Sequence, residues 1–185
     1  LNVSMPYKVK IIDYLDELTP EAKLCHAVNT IRNDNGKLIG HISDGKGFYL
    51  ACIHKNWKIK DQKIVVLGAG GAAQAIIVEL AMQGVKEIVV YNRSDKLFIR
   101  ELNKKFNCSI ILKSLNHLDK LKDDLKVADI IYNPKETKLL KMAREKGLEY
   151  MNGEGMIVYQ GAVSFEFWTG QKMPVDKVKK ELGME

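Results

Sequence analysis

The 185-residue sequence has few cysteines and no long apolar run, and each shortage excludes a class of protein. The three cysteines, Cys25, Cys52 and Cys108, are far apart, which argues against a disulfide framework and for a reducing compartment. The apolar stretch from Ile64 to Ile77 is interrupted by glycines and is shorter than the roughly 18 residues that a membrane helix needs. We therefore predict a cytoplasmic protein without a membrane segment.

Metal-binding patterns are also missing. The sequence contains no C-x-x-C pair, and its four histidines, His26, His41, His54 and His117, do not have H-E-x-x-H spacing. We predict no metal site.

The net charge is +6, but the lysines are scattered among acidic residues on predicted helix surfaces. This distribution is typical of solvated helix faces and does not predict a nucleic-acid partner. A mild positive field would help to recruit an anionic substrate or a phosphorylated cofactor.

The clearest structural pattern is a strand, a helix and a second strand within residues 63–92. The β-branched run that follows Lys63 predicts a buried strand, Ala72 to Gln83 predicts a helix that ends at Gly84, and the run after Glu87 predicts another buried strand. Such a βαβ unit predicts a right-handed crossover in a parallel sheet.

The rest of the chain also alternates between helix and strand signals. Residues 27–42 predict a hairpin around Asp34-Asn35-Gly36, and Thr19 before Pro20 predicts a helix N-cap. Further helices are expected from Pro6, over 44–54, 136–146, 154–169 and 174–182, and strands over 109–112 and 128–132.

The first strand of the βαβ unit leads into a G-x-G-x-x-A loop made of Gly68, Ala69, Gly70, Gly71, Ala72 and Ala73. Gly68 permits a tight turn, Gly70 lets the backbone approach a pyrophosphate, and Ala73 lets the helix pack closely on the strand. The helix N-terminus would supply free N–H groups to the phosphates. The alternative, a glycine turn that packs without a ligand, does not require the flanking strand and helix. The loop therefore predicts a dinucleotide site.

The end of the second strand, where an adenosine ribose normally binds, carries conflicting signals. Arg93 after Asn92 could pair with a 2′-phosphate and favours NADP, whereas Asp95 could accept hydrogen bonds from free ribose hydroxyls and favours NAD. Asp95 could instead be a helix N-cap. We predict use of NAD with some tolerance of NADP.

Several short motifs, in one order along the whole chain, resemble those of the shikimate dehydrogenase family. They are Asn2-Val3-Ser4-x-Pro6-x-Lys8, Ala27-Val28-Asn29-Thr30, Ser43-Asp44-Gly45-x-Gly47, the glycine loop, Asn92-Arg93-Ser94, Asn152-Gly153-x-Gly155-Met156-x-Val158-x-Gln160-Gly161-Ala162, and Phe165-Glu166-x-Trp168-Thr169-Gly170. Within that family, the segment from Asn92 to Lys96 resembles the quinate/shikimate branch, which accepts either NAD or NADP.

The resemblance implies a role for particular residues. Lys8 and Asp44 correspond to a catalytic pair, which suits an alcohol oxidation because a group must take the hydroxyl proton as the hydride leaves. Which of the two is the base stays open. Positions that correspond to substrate-binding residues are Asn2, Ser4, Asn29, Tyr132 and Gln160, and Gly153 is expected beside the nicotinamide. Seen alone, Lys8 would be a solvated charge and Asp44 a helix N-cap; their joint occurrence in matching order favours the catalytic interpretation.

The resemblance also implies an architecture. We expect an α/β protein in which a Rossmann-like, doubly wound parallel sheet (61–153) adjoins a smaller α/β substrate domain (1–60), with helices of 154–185 returning to that smaller domain. The active site would lie in the cleft between them. We expect a small-molecule substrate, shikimate or quinate, and a homodimer as one possible assembly.

The sequence departs from the family pattern at two places. Family members have a longer front segment with a Ser-x-Ser that binds the substrate carboxylate, and the absence of an initiator Met here suggests truncation. They also separate an A-D-I strand from a Y-N-P segment, whereas Asp129-Ile130 here runs directly into Ile131-Tyr132. Joining these flanks is expected to damage the sheet and to weaken binding and catalysis. A gap closed up in the sequence, a deliberate truncation or a degenerate copy would each explain it.

Two other functions fit the same fold. One is a non-catalytic NAD(P)- or ligand-binding regulatory protein, and the other is a different nicotinamide enzyme on a similar scaffold. Retention of Lys8 and Asp44 argues against the first, because a binding protein needs no group for proton transfer.

Overall fold

The structure is a computed structural model that describes residues 1–94, 97–106, 108–114 and 124–184. It is mixed α/β. The strands are β1 (Glu17–Leu18), β2 (Thr30–Asp34), β3 (Lys37–His41), β4 (Lys63–Leu67), β5 (Glu87–Asn92), β6 (Ser109–Ser114), β7 (Lys126–Ala128) and β8 (Glu149–Met151). The α-helices are α1 (Pro20–Cys25), α2 (Asp44–His54), α3 (Gly71–Met82), α4 (Leu97–Asn103), α5 (Lys138–Glu145), α6 (Glu154–Thr169) and α7 (Val175–Glu181).

The first sheet has the order β1-β3-β2, with β2 and β3 forming the predicted hairpin. Asn35 and Gly36 adopt positive φ angles of 51° and 96°, which a tight hairpin turn requires. The first residues of the chain lie beside β2, where Asn2 pairs with Thr30 in an antiparallel bridge. The helix expected after Pro6 is a short 3₁₀ helix over Lys10–Tyr14.

The second sheet is parallel, with the order β4-β5-β6, and it confirms the predicted βαβ unit. Helix α3 connects β4 to β5 and is buried along most of its length. Gly84 follows α3 with a φ of 77°, as expected for the residue after a helix end. This unit makes the sheet Rossmann-like.

The predicted strand over 128–132 is wrong except at its first residue. Strand β7 ends at Ala128 and pairs with β8 in a separate parallel sheet. Asp129 then closes a turn, because its carboxylate accepts hydrogen bonds from the Ile131 N–H (3.0 Å) and the Thr137 hydroxyl (2.7 Å). Side-chain bonds of this kind compete with strand pairing.

Among the described residues, β4 pairs with β5 alone. Its side chains Val65 and Leu67 are 53% and 48% exposed, although they belong to an apolar strand. A strand of this composition is normally covered on both sides in a parallel sheet. Within the described part of the chain, β4 is an edge strand, and the expected disturbance of the sheet by the direct join after Asp129 stays a prediction.

Helix α2 lies between α3 and α6, and two glycines permit this close packing. A Cβ atom at Gly45 would collide with the Ala75 carbonyl of α3. A Cβ atom at Gly47 would lie 2.6 Å from the backbone nitrogen of Gln160 on α6. Gly45 and Gly47 therefore set the position of the α2 N-terminus, where Asp44 lies.

Helix α6 also reaches the first sheet, since the Trp168 indole donates a hydrogen bond to the Ile31 carbonyl of β2 at 3.0 Å. The division into domains at residue 60 stays a prediction. No helix in the described part of the chain combines the length and the apolar character that crossing a membrane requires.

Candidate active site

The Lys8 ammonium and the Asp44 carboxylate form the shortest ion pair near the α2 N-terminus. Lys8 Nζ lies 2.6 Å from Asp44 Oδ2, and the two side chains are only 20% and 10% exposed. The pair is thus largely shielded from bulk water but not fully buried. Because one partner can donate and the other accept, the pair can exchange a proton with a hydroxyl placed against it.

Backbone pairing brings these two distant residues together. The Lys8 carbonyl accepts a hydrogen bond from the Val28 N–H at 2.8 Å, which fixes Lys8 beside the start of β2. Asp44 is the first residue of α2 and follows β3, the strand paired with β2. The hairpin therefore places both residues at the same end of the first sheet.

Asn29 lies between the two segments and is almost wholly buried. Its amide nitrogen Nδ2 donates to Asp44 Oδ1 at 2.9 Å, and its oxygen Oδ1 accepts from the Ser43 N–H at 2.9 Å. The amide cannot be turned over, because the Ser43 N–H only donates and an ionised carboxylate only accepts. Asn29 therefore presents a donor to Asp44.

Gln160 reaches the same group from α6. Its Oε1 accepts from the Ser43 hydroxyl at 3.2 Å and from Asn29 Nδ2 at 3.3 Å. The chain thus brings Lys8, Asn29, Asp44 and Gln160 into one hydrogen-bonded group, although they lie far apart in sequence.

The other expected substrate-binding residues have fewer contacts with this hydrogen-bonded group. Asn2 joins the group through its side-chain amide, which donates to the Asn29 carbonyl at 3.2 Å. Ser4 and Tyr132 are exposed, and within the described ranges neither side chain has a hydrogen bond to the group. Their roles stay predictions.

The glycine loop at the end of β4 is open on its outer side. Gly68 has a φ of 95°, and its N–H donates to the Tyr91 carbonyl at 2.7 Å, which holds the tight turn. Cβ atoms added at Gly68, Gly70 or Gly71 would meet no atom within 4 Å. The backbone at the N-terminus of α3 therefore faces free space, as a pyrophosphate would require.

An open cavity of about 620 Å³ lies beside the ends of β5 and β6, lined in part by Asn92, Arg93, Ser94 and Lys113. Asn92 shapes the turn after β5, since its side-chain amide donates to the Ser94 carbonyl at 2.8 Å. The exposed Arg93 adjoins this cavity. Asp95 lies outside the described residues.

Gly153 is buried at the start of α6. Its N–H donates to the Ile131 carbonyl at 2.9 Å, and any side chain here would collide with the Ile130 carbonyl. Close packing alone thus requires glycine at this position. Its expected contact with the nicotinamide stays a prediction.

Sequence reasoning missed three buried hydroxyls that surround Asn29, those of Thr30, Ser43 and Ser164. Ser164 Oγ lies 2.8 Å from Thr30 Oγ1 and 3.1 Å from Ser43 Oγ. Thr30 and Ser43 could have been noticed because they adjoin Asn29 and Asp44 in the motifs. Ser164 carried no signal, since a single serine within a helix has many explanations.

Cys25 also lies close to the pair, and its environment makes it inert. Burial and, to a lesser extent, the Asp44, Glu21 and Glu79 carboxylates raise the pKa of the Cys25 thiol to about 12. Burial likewise raises the pKa of the Cys52 thiol to about 12. Since the thiolate is the reactive form, we expect iodoacetamide at pH 8 to leave both thiols unmodified in the folded protein and to alkylate them in denaturant. Peptide mass mapping measures this, and rapid alkylation of folded Cys25 would contradict the packing described.

A parallel sheet that leads into an open glycine loop, together with a shielded lysine–carboxylate pair, defines the class of nicotinamide-dependent dehydrogenases. The family model described as "Shikimate / quinate 5-dehydrogenase" matches residues 50–154. The models for the substrate binding domain and the C-terminal domain of shikimate dehydrogenase match residues 1–31 and 153–182.

Individual relatives agree with these matches. A shikimate dehydrogenase (NADP(+)) from Listeria innocua is 39% identical over 98% of this chain and 76% of its own length. The crystal structure of a shikimate 5-dehydrogenase from Listeria monocytogenes in complex with shikimate and NAD is 37% identical, with a TM-score of 0.92 over 98% of this chain and 76% of that one. A shikimate dehydrogenase solved with NADP⁺ is 35% identical, with a TM-score of 0.89 over 97% of this chain and 74% of that one. The chain belongs to the shikimate dehydrogenase family.

The alignment with the Listeria innocua protein extends over 220 positions, whereas this chain has 185 residues. At least 35 positions of the alignment (220 − 185) therefore have no counterpart in this chain. This difference fits the internal shortening inferred from the A-D-I and Y-N-P segments.

Proposed function

We propose that this chain transfers a hydride between NAD(P) and a ring hydroxyl of shikimate or, as the alternative acid, quinate. The observation that carries the proposal is the shielded Lys8–Asp44 pair at 2.6 Å, linked through Asn29 to Gln160, in a member of this family. A regulatory binding protein would have no use for such a pair.

The reaction needs a place for one proton. In the oxidative direction, the carbon–hydrogen bond breaks as a hydride leaves, the hydroxyl proton moves to the Lys8–Asp44 pair, and a ketone forms. In the reductive direction the pair returns the proton to the carbonyl oxygen. The nicotinamide, when bound, supplies or accepts the hydride.

We assign the cofactor to the glycine loop, where the backbone from Gly68 to Ala73 would hold the pyrophosphate. Asn92 and Arg93 would contact the adenosine ribose, and Asp95 is the further candidate from the sequence. Gly153 would face the nicotinamide. Asn2, Ser4, Asn29, Tyr132 and Gln160 are the candidates for the substrate's hydroxyls and carboxylate, since amides and hydroxyls both donate and accept.

Four assays test this proposal: shikimate and quinate, each with NAD and with NADP, followed by absorbance of the reduced nicotinamide. Turnover of either acid supports the proposal, and the best pair identifies substrate and cofactor. A folded protein that binds nucleotide but turns over neither acid would favour the regulatory alternative.

The internal shortening predicts slow turnover. Because β4 lacks a second neighbour in the described sheet, the loop at its end has less support than in a complete sheet. We expect kcat/KM at least about tenfold below that of a full-length relative assayed alongside. Equal values would contradict this effect of the shortening.

Arg93 provides a test of cofactor choice. If its guanidinium pairs with a 2′-phosphate, Arg93→Ala should raise KM for NADP about tenfold or more and change KM for NAD little. Arg144→Ala is the matched control, because Arg144 pairs with Glu136 on the surface, away from the glycine loop. Equal changes for both cofactors would contradict the assignment.

A cytoplasmic location and a homodimer stay predictions from the sequence.

A further inference from the structure

Three buried hydroxyls, those of Thr30, Ser43 and Ser164, form a cluster behind the Lys8–Asp44 pair. Their residues are 0%, 0% and 2% exposed, so no water competes for their hydrogen bonds. Each comes from a different element: Thr30 from β2, Ser43 from the residue before α2, and Ser164 from α6. The cluster therefore joins the start of β2, which follows Asn29, to the start of α2, which holds Asp44, and to α6, which holds Gln160.

The cluster acts on the oxygen of the Asn29 amide. Thr30 Oγ1 donates to Asn29 Oδ1 at 2.9 Å, alongside the Ser43 N–H, and this leaves Nδ2 directed at Asp44. The single hydrogen of Thr30 is directed at Asn29, and the Thr30 oxygen lies 2.8 Å from the Ser164 hydroxyl, whose one hydrogen is shared between Thr30 and Ser43. Ser164 thus contacts the Thr30 hydroxyl, which in turn donates to the Asn29 amide oxygen.

The same contacts connect the pair to α6. Ser164 lies one helical turn after Gln160, so both face the same side of α6. Ser164 Oγ is 3.1 Å from Ser43 Oγ, and Gln160 Oε1 is 3.2 Å from it. Loss of a hydroxyl from the cluster would therefore alter the position of Asp44 through Asn29 and that of Gln160 through Ser43.

We propose that Thr30, supported by Ser164, is a positioning residue for the reaction: it holds the Asn29 amide in the orientation that keeps Asp44 against Lys8. This inference rests on the proposed function. Thr30 does not touch the pair itself and acts on Asp44 through Asn29.

Two substitutions at Thr30 separate the hydroxyl from the packing. Thr30→Val keeps the shape and the preference for a strand but removes the donor, whereas Thr30→Ser keeps the donor and removes a methyl group. We expect Thr30→Val to lower kcat about tenfold or more, with KM for the nicotinamide cofactor within about twofold of wild type, because Asn29 Oδ1 loses one of its donors and only Ser43 still holds the amide against Asp44. Thr30→Ser should retain kcat within about threefold. A Val variant as active as wild type, or a Ser variant as impaired as Val, would overturn the proposal.

Two further measurements apply if Thr30→Val does not fold or if the wild-type chain is inactive. If Thr30→Val does not fold, Ser164→Ala removes the supporting hydroxyl with little change of shape and should lower kcat in the same direction; an unchanged kcat would overturn the proposal. If the wild-type chain turns over no acid, the proposed function fails but the positioning role is still testable by NMR. The Asn29 side-chain amide signals should shift and exchange with solvent faster in Thr30→Val and not in Thr30→Ser, and unchanged signals in the Val variant would overturn it.

Discussion

Asp44→Asn is expected to lower kcat at least about a hundredfold, the order of magnitude that loss of a positioned proton-transfer group produces. Asparagine has the same shape and is well suited to a helix N-terminus, so α2 should still form. It cannot, however, hold the negative charge that pairs with Lys8 at 2.6 Å. Steady-state kinetics with the best acid–cofactor pair measures the change.

The chain offers a matched control in a second lysine–carboxylate pair. Lys37 Nζ lies 2.6 Å from Glu17 Oε2, the same separation, but both side chains are about half exposed at the surface of the first sheet. Glu17→Gln should leave kcat within about twofold, since exposed ion pairs contribute little. If Asp44→Asn were no worse than Glu17→Gln, the catalytic assignment of Asp44 would be wrong.

Gly47→Ala is expected to destabilise the fold. The added Cβ would lie 2.6 Å from both the nitrogen and the Cβ of Gln160, so α2 and α6 must move apart. Overpacking of this kind costs about 1–3 kcal/mol in the free energy of unfolding. Because Gln160 contacts Ser43 and Asn29, the same movement should lower activity in the protein that remains folded.

Gly161→Ala is the control for this substitution. Gly161 lies on α6 next to Gln160, and a Cβ atom there would meet nothing within 4 Å. Alanine in a helix interior is about 0.5–1 kcal/mol more favourable than glycine, so this variant should be slightly more stable than wild type. Denaturant unfolding compares the two variants, and equal midpoints would contradict the close packing of α2 against α6.

Local patterns predicted the parts of the fold that local forces determine. The β-branched runs of β4 and β5 and the glycine after α3 indicated the βαβ unit without reference to any other part of the chain. The failure at 128–132 has a physical cause. The apolar run there satisfies a strand pattern, but the Asp129 carboxylate accepts hydrogen bonds from the Ile131 N–H and the Thr137 hydroxyl. Strand β7 therefore ends at Ala128, after pairing with β8.

The candidate site was harder to predict than the fold. Lys8 and Asp44 separately resemble a surface charge and a helix cap, and only the resemblance to a family indicated that they meet. The Ser164 hydroxyl could not be predicted, because its contacts with Thr30 and Ser43 span more than 120 residues of sequence. The packing function of Gly45 and Gly47 likewise depends on helices from distant parts of the chain.

An isotope label shows whether this chain moves a hydride between a nicotinamide and a cyclic hydroxy acid. The chain is incubated with the keto acid (3-dehydroshikimate or 3-dehydroquinate) and with a reduced nicotinamide that carries deuterium at its transferable position. Mass spectrometry of the product follows, with Asp44→Asn in parallel. We expect one deuterium per molecule of hydroxy acid formed, even if turnover is slow, and far less product with Asp44→Asn. A hydroxy acid without deuterium, or no hydroxy acid from a folded chain that binds the nucleotide, would contradict it.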